Sequence, residues 1–305
     1  MLDPRHSPSQ GTTARDPAGP LVCAAGDLVV DVVVRARAAA VRDADIPATI
    51  TRHRGGSAAN TAAAVARLGG RARFVGQVGD DLAGARLVDG LSTLGVDCVV
   101  PRAGVTGTVV VVVEPDGART MFSDRRAAGT AAALDGRALD GADMLHVPYY
   151  GVADPLGGAP FRALLAQAAE RGIVVSLDAS SVALAGERFL EFVRATRPGV
   201  VFCNGDEAAA LGVGEDGLPG ADLVVVKHGA DPVVLAGDVV AEVPVPHAVP
   251  GADTTGAGDA FAGGFLVALA RGADPVQAAG AGHAAAAHVV GGAGADAWAA
   301  GVGAP

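Results

Sequence analysis

Asp253-Thr254-Thr255-Gly256-Ala257-Gly258-Asp259-Ala260-Phe261 follows Val243-Pro244-Val245-Pro246 and runs straight into an apolar stretch. A loop of small residues that opens into a helix presents unpaired backbone N–H groups at the positive end of the helix dipole. Gly256, Ala257 and Gly258 thus form a candidate anion hole, because the two glycines let a phosphate approach without a Cβ in the way. Asp259 follows at once. The helix terminus is expected to keep it ionised at neutral pH, ready to take a proton from a hydroxyl beside the phosphate. The same residues also allow a purely structural reading, in which Asp253 or Thr255 caps the helix and Asp259 merely favours its first turn.

Outward from this loop, strand and helix signals alternate. Buried-strand candidates are 21–30, 72–78, Met144–Val147, Ile173–Leu177, Val200–Cys203 and Leu223–Val226. Helices are expected at Ser57–Leu68, with Ser57 as N-cap, and at Asp80–Leu94, Phe161–Arg171, Ala257–Ala270 and Pro275–Val290. This rhythm predicts βαβ units, a mostly parallel sheet and helices on both of its faces, a three-layer α/β/α sandwich. Two segments leave the rhythm. Val32–His53 is β-rich with interleaved charges, and Gly107–Phe122 reads as a hairpin turning at Pro115-Asp116-Gly117. They are expected to form a small β lid at 32–53 and 107–122, able to exclude water from a site; an edge extension of the main sheet is the alternative. The α/β part then comprises 21–31, 54–106 and 123–295, between a flexible tail at 1–20 and a C-terminal tail at 296–305.

Two further segments carry polar groups at helix starts. Arg54-Gly55-Gly56-Ser57-Ala58-Ala59-Asn60 brings a Gly-Gly turn into a helix of small residues, with the Asn60 amide in the first turn. Read structurally, it is a plain strand–helix connection. Asn204-Gly205-Asp206-Glu207 has the spacing of a capping box. The functional reading sets Asn204 and Glu207 at the C-terminal end of a strand, where open α/β sheets bind ligands, with Glu207 able to hold magnesium directly or through water.

Taken together, GGSAAN at 55–60, NGDE at 204–207 and DTTGAGDAF at 253–261 resemble the motifs of the ribokinase-like (PfkB) family of carbohydrate kinases, in the same order, over about residues 22–295. The resemblance implies ATP- and magnesium-dependent phosphorylation of a hydroxymethyl group on a sugar, with a nucleoside as the alternative acceptor and a non-catalytic ligand sensor as the alternative role. It makes Asp259 the general base and the amides of 256–258 the anion hole. Asn204, Lys227, Gly229, Gly258 and His283 are assigned to ATP, and Glu207 to Mg²⁺ through water. Asp31, Gly55, Gly56, Asn60 and Arg125 fall to the substrate. Asp253 and Thr255 match part of a monovalent-cation site, making K⁺ a candidate activator. On the residues alone, Lys227 also reads as a solvated loop charge, His283 as a helix-packing histidine and Asp124-Arg125-Arg126 as a hinge cluster. Val29 and Ser57 depart from members that act on ribose. Ala179-Ser180-Ser181 lacks the arginine of members that act on a sugar acid.

Composition limits the rest. The 305 residues are 50% hydrophobic with a net charge of −10, which argues against a nucleic-acid or anionic-membrane surface. Cys23, Cys98 and Cys203 are widely spaced with no CxxC, against a zinc site and for a reduced, cytoplasmic setting. A dinucleotide oxidoreductase would need G-x-G-x-x-G after the first strand, where this chain has Gly26-Asp27-Leu28. Homodimerisation through the lid is the candidate assembly.

Overall fold

Short runs of Val, Leu and Ala bounded by glycines or charges pair side by side, because burying both faces of a strand needs apolar residues in both registers. The structure is a computed structural model, described for residues 19–39, 41–125, 134, 136–153, 158–246 and 254–290. Nine strands form one sheet: β1 (Leu21–Ala25), β4 (Arg71–Val75), β5 (Asp97–Val99), β8 (Met144–Pro148), β9 (Val174–Asp178), β10 (Val200–Asn204), β11 (Leu223–His228), β12 (Asp231–Gly237) and β13 (Ala241–Val243). Their order is β13-β12-β11-β10-β9-β8-β1-β4-β5, parallel except for β12 and β13. Successive residues of β1 feed opposite cores. Val22 and Ala24 pack with α1 (Ser57–Arg67), α2 (Leu82–Thr93), α7 (Ala257–Ala270) and α8 (Pro275–Val290), whereas Cys23 and Ala25 pack on the other side. That second side holds α3 (Tyr149–Ala153), α4 (Gly158–Glu170), α5 (Glu187–Thr196) and α6 (Gly205–Leu211). The three-layer sandwich expected from the alternation is the one found.

A separate four-stranded sheet, ordered β3-β2-β6-β7, comprises β2 (Val29–Ala36), β3 (Ala48–Gly55), β6 (Thr108–Val113) and β7 (Arg119–Asp124). The hairpin at Pro115-Asp116-Gly117 forms as expected, with Gly117 at φ +88° and its N–H donating to the Glu114 carbonyl at 2.9 Å. The apolar run 21–30, however, is two strands and not one. The chain breaks at Gly26–Leu28, and Val29 begins the smaller sheet, which therefore takes in Val29–Asp31 and Arg54–Gly55. The break falls where α1 comes close: a Cβ at Gly26 would stand 2.9 Å from that of Ala58.

Chain order reverses at β1, whose neighbours are β4 and β8. A crevice therefore opens beyond the C-terminal strand ends, where Pro148, Asp178, Asn204 and Lys227 lie. The glycines of α7 bring that helix close to α1: a Cβ at Gly263 would come within 2.8 Å of the Ala64 Cβ. This approach sets the start of α7 over the first turn of α1.

Candidate active site

The α7 helix starts at Gly256, its N-cap, in the left-handed region at φ +80° and with no side-chain cap. Asp253 lies outside the described residues, and neither Thr255 nor Asp259 caps the helix. Instead the Asp259 carboxylate reaches across to α1. The Ser57 hydroxyl donates to its Oδ1 at 2.6 Å and the Asn60 amide to its Oδ2 at 3.0 Å. Arg54 Nε donates to Asn60 Oδ1 at 3.3 Å and fixes the orientation of that amide. Burial pushes the Asp259 carboxyl above the usual carboxylate range, against the pull of the Ser57 and Asn60 hydrogen bonds. The helix terminus alone therefore does not govern its protonation, contrary to the sequence expectation. Ser57 is likewise not the N-cap of α1. Gly56 is, at φ +100°, where a Cβ would collide with the Asp27 carbonyl.

Asp259 stands at one end of a cavity of about 590 Å³. The inward face of the smaller sheet supplies Asp31, Val109, Arg119, Met121 and Ser123 to it, and the main sheet supplies Asp178, Asn204 and Lys227. Asp31, Gly56, Asn60 and Arg125, the residues read as a substrate side, line it together. Gly55 is buried beneath: a Cβ there would collide with the Asp31 carboxylate, so the glycine makes room for that side chain. Arg125 pairs with the buried Asp27 and lies over the Tyr150 ring, 4.2 Å from its centroid. Arg119 of β7 reaches across and donates to the Thr255 hydroxyl at 2.9 Å. The Thr255 hydroxyl thus meets a guanidinium, whereas the monovalent-cation reading rests on the Thr255 carbonyl.

A second cavity of about 420 Å³ adjoins the first, and Asn204 and Lys227 line both. It is flanked by Gly229, Thr254, Gly258 and His283. His283 is both a cavity-lining and a helix-packing residue. It lines the cavity, while its Nε2–H donates to the Val243 carbonyl at 3.2 Å and its ring packs edge-on to Phe261 at 5.3 Å. Asn204 and Glu207 make the full capping box, with Asn204 Oδ1 accepting from the Glu207 N–H at 2.9 Å and Glu207 Oε2 accepting from the Asn204 N–H at 2.8 Å. Burial raises the Glu207 carboxyl above its ordinary range, partly offset by that Asn204 N–H. Lys227 is no solvated loop charge: its ammonium donates to Asp178 Oδ2 at 2.9 Å and is 17% exposed.

The lining residues not singled out from the sequence include Asp178, Arg119, and Ser57 as a partner of the acid. Asp178 carried a usable signal, since it ends an apolar strand as Asn204 does. Ser57 and Arg119 carried none, because their partners lie 202 and 136 positions away.

Residues 20–299 match the model of the pfkB family carbohydrate kinases. The chain belongs to that family. It is 34% identical over 256 residues to an ATP-dependent ribose-1-phosphate kinase of Halopiger xanaduensis, covering 80% of this chain and 82% of that one. Over 258 residues it is 28% identical to a fructokinase of Vibrio alginolyticus, covering 78% and 80%. The adenosine kinase of Sinorhizobium meliloti superposes with a TM-score of 0.78 at 25% identity, over 91% of this chain and 95% of that one. This pfkB-family protein is thus a sugar or nucleoside kinase that uses ATP, a phosphotransferase with a ribokinase-like fold. Among its described residues no helix is long and apolar enough to cross a membrane.

Proposed function

We propose that this kinase phosphorylates a hydroxymethyl group of a sugar, with Asp259 as general base and the amides of 256–258 as the anion hole. The observation that carries the reading is the start of α7, where Gly256 and Asp259 line the larger cavity and Ala257 and Gly258 the smaller, with Lys227 lining both. The sugar lies in the larger cavity, with Asp31 and Asn60 facing its hydroxyls. ATP lies in the smaller one, with its γ-phosphate at the α7 N-terminus. As the sugar oxygen bonds to the γ-phosphorus, its proton passes to Asp259, the bond to the β–γ bridging oxygen breaks and ADP leaves. Backbone N–H groups and the Lys227 ammonium offset the charge that develops on the phosphoryl oxygens.

Among the described residues no cluster of three or more His, Cys, Asp or Glu side chains is placed to hold a metal. Nucleotide phosphates would then supply most ligands to a magnesium ion, with the Glu207 carboxylate facing it through water, an all-oxygen set that suits this ion. When bound, magnesium would neutralise phosphate charge.

A sugar is favoured over a nucleoside because the larger cavity offers no open aromatic platform among its described residues. Its one aromatic ring, Tyr150, has Arg125 laid over it. Two arginines facing the cavity, Arg119 and Arg125, favour as a second reading a sugar that already carries a phosphate, the substrate class named for the Halopiger relative. A coupled ADP-release screen over free sugars, sugar phosphates and nucleosides, each with ATP and magnesium, tests this. Turnover of a sugar or sugar phosphate is expected. Turnover confined to nucleosides would overturn the reading.

A further inference from the structure

Lys227 is set at the seam of the two cavities by a residue from a neighbouring strand. Its ammonium lies 2.9 Å from Asp178 Oδ2 and 5.6 Å from the centroid of the Phe202 ring. A Cβ on Gly258 would stand in ordinary contact with it at 3.5 Å, so the ammonium lies beside the loop of 256–258. Asp178 is itself held. Its Oδ1 accepts the Ser180 N–H at 2.7 Å, and the Ser180 hydroxyl donates to the Asp178 carbonyl at 3.1 Å. Ser180 makes this turn at φ +71°, in the left-handed region that a serine enters at a cost, and such outliers gather at functional sites. Both carboxylate oxygens thus have fixed partners, one on a strained turn and one on the chain's only lysine.

We propose that Asp178 is a positioning residue for phosphoryl transfer, holding the Lys227 ammonium against Gly258 at the point where the phosphoryl group crosses from one cavity to the other. The proposal rests on the assignment of the smaller cavity to ATP. Enclosed as it is, a lysine here would lose its proton more readily than in water. The pairing with Asp178 reverses this, with smaller help from Asp259 of α7 and Glu207 of α6, and the net effect raises Lys227 above the usual lysine range. The other titratable groups around it are His146 of β8, which burial pushes down to about 4 and so keeps neutral, and Cys203 of β10, which burial pushes up to about 12. Arg119 of β7 lines the same cavity and donates to Thr255. Asp178 is therefore the side chain whose loss leaves desolvation in command of Lys227.

Because Lys227 is the only lysine in the chain, lysine carrying ¹³C at Cε reports this one ammonium by NMR. In the wild-type protein the signal is expected to stay in its charged form beyond pH about 10.4, where an ordinary lysine is half titrated. In Asp178→Asn the titration should fall by more than one pH unit. At saturating sugar, kcat/KM for ATP should then drop about tenfold per pH unit above the new midpoint, a limb the wild type lacks in that range. Asp178→Asn added to Lys227→Met should cost less than about threefold further, since one route is already cut. A wild-type lysine that titrates at or below its ordinary value would overturn the proposal, and this needs no variant to fold. So would an unchanged titration in Asp178→Asn, or losses that multiply in full in the double variant. Absence of any sugar turnover would instead remove the acceptor assignment, while the lysine titration still decides whether Asp178 governs Lys227.

Discussion

Asp259→Asn separates a base from a structural acid. In the folded protein Asp259 accepts from the Ser57 hydroxyl and from the Asn60 amide. An asparagine fits the same space: its oxygen accepts from Asn60 Nδ2, and its amide donates to the Ser57 oxygen, which can turn to accept. Both hydrogen bonds survive, and α7 loses no cap because Asp259 provides none. The charged form of Asp259 is disfavoured by burial, so its carboxyl titrates higher in the folded chain than in the unfolded one. Above the unfolded value such a group opposes folding, because the folded state resists the charge that the unfolded state carries freely. Its neutral replacement is thus expected to leave the melting temperature at pH 7.5 equal to or above that of the wild type. Turnover should behave in the opposite way. An amide cannot take the proton of the attacking hydroxyl, and losing a general base costs roughly 10²–10⁴-fold, or about 2.7–5.4 kcal/mol in the barrier. The decisive assay measures kcat by coupled ADP release and melting by scanning calorimetry on one preparation, with ATP affinity by titration calorimetry. A variant with near-wild-type kcat, or one that melts well below the wild type with normal turnover per folded molecule, would refute the assignment.

Ser57→Ala removes a donor that favours the charged form of Asp259. A hydrogen bond of about 0.5–1.5 kcal/mol corresponds to roughly 0.4–1 pH unit, so the acidic limb of kcat should move to higher pH by that amount, with activity recovering on the alkaline side; an unmoved limb refutes the coupling. Asp31→Ala should raise KM for the sugar by roughly 10- to 100-fold, the loss of a charged hydrogen-bond partner of about 1.5–3 kcal/mol, while calorimetry shows ATP affinity unchanged; equal losses for both ligands would remove Asp31 from the substrate side. Saturating sugar should slow amide exchange in β2, β3, β6 and β7, because the inward face of their sheet lines the cavity; mass spectrometry showing unchanged exchange in all four strands would sink the lid role.

The local chemistry was legible from residue order alone. Gly256-Ala257-Gly258-Asp259 reads as a candidate anion site because two glycines and a helix start lie within a few bonds of each other, and the fold does start α7 at Gly256. The capping box of Asn204 and Glu207 is equally local, its two hydrogen bonds spanning three residues. The three-layer sandwich followed from strand–helix alternation, since burial of both sheet faces leaves few other arrangements. What the sequence could not decide was where one strand ended and another sheet began. Residues 21–30 read as a single apolar run, and the structure divides it at Gly26–Leu28, where α1 passes close to Gly26. Nor could it assign the partners of the acid. Ser57 has the residue type of a helix cap, but the close approach of α7 to α1 through Gly263 offers its hydroxyl a carboxylate 202 positions away. The sequence left Lys227 open between an ATP contact and a solvated charge, and only the placing of β9 and β11, each beside β10, brought Asp178 to it. Such pairings depend on strand order and helix spacing, which packing of the whole chain sets and which leave no trace in the neighbouring residues.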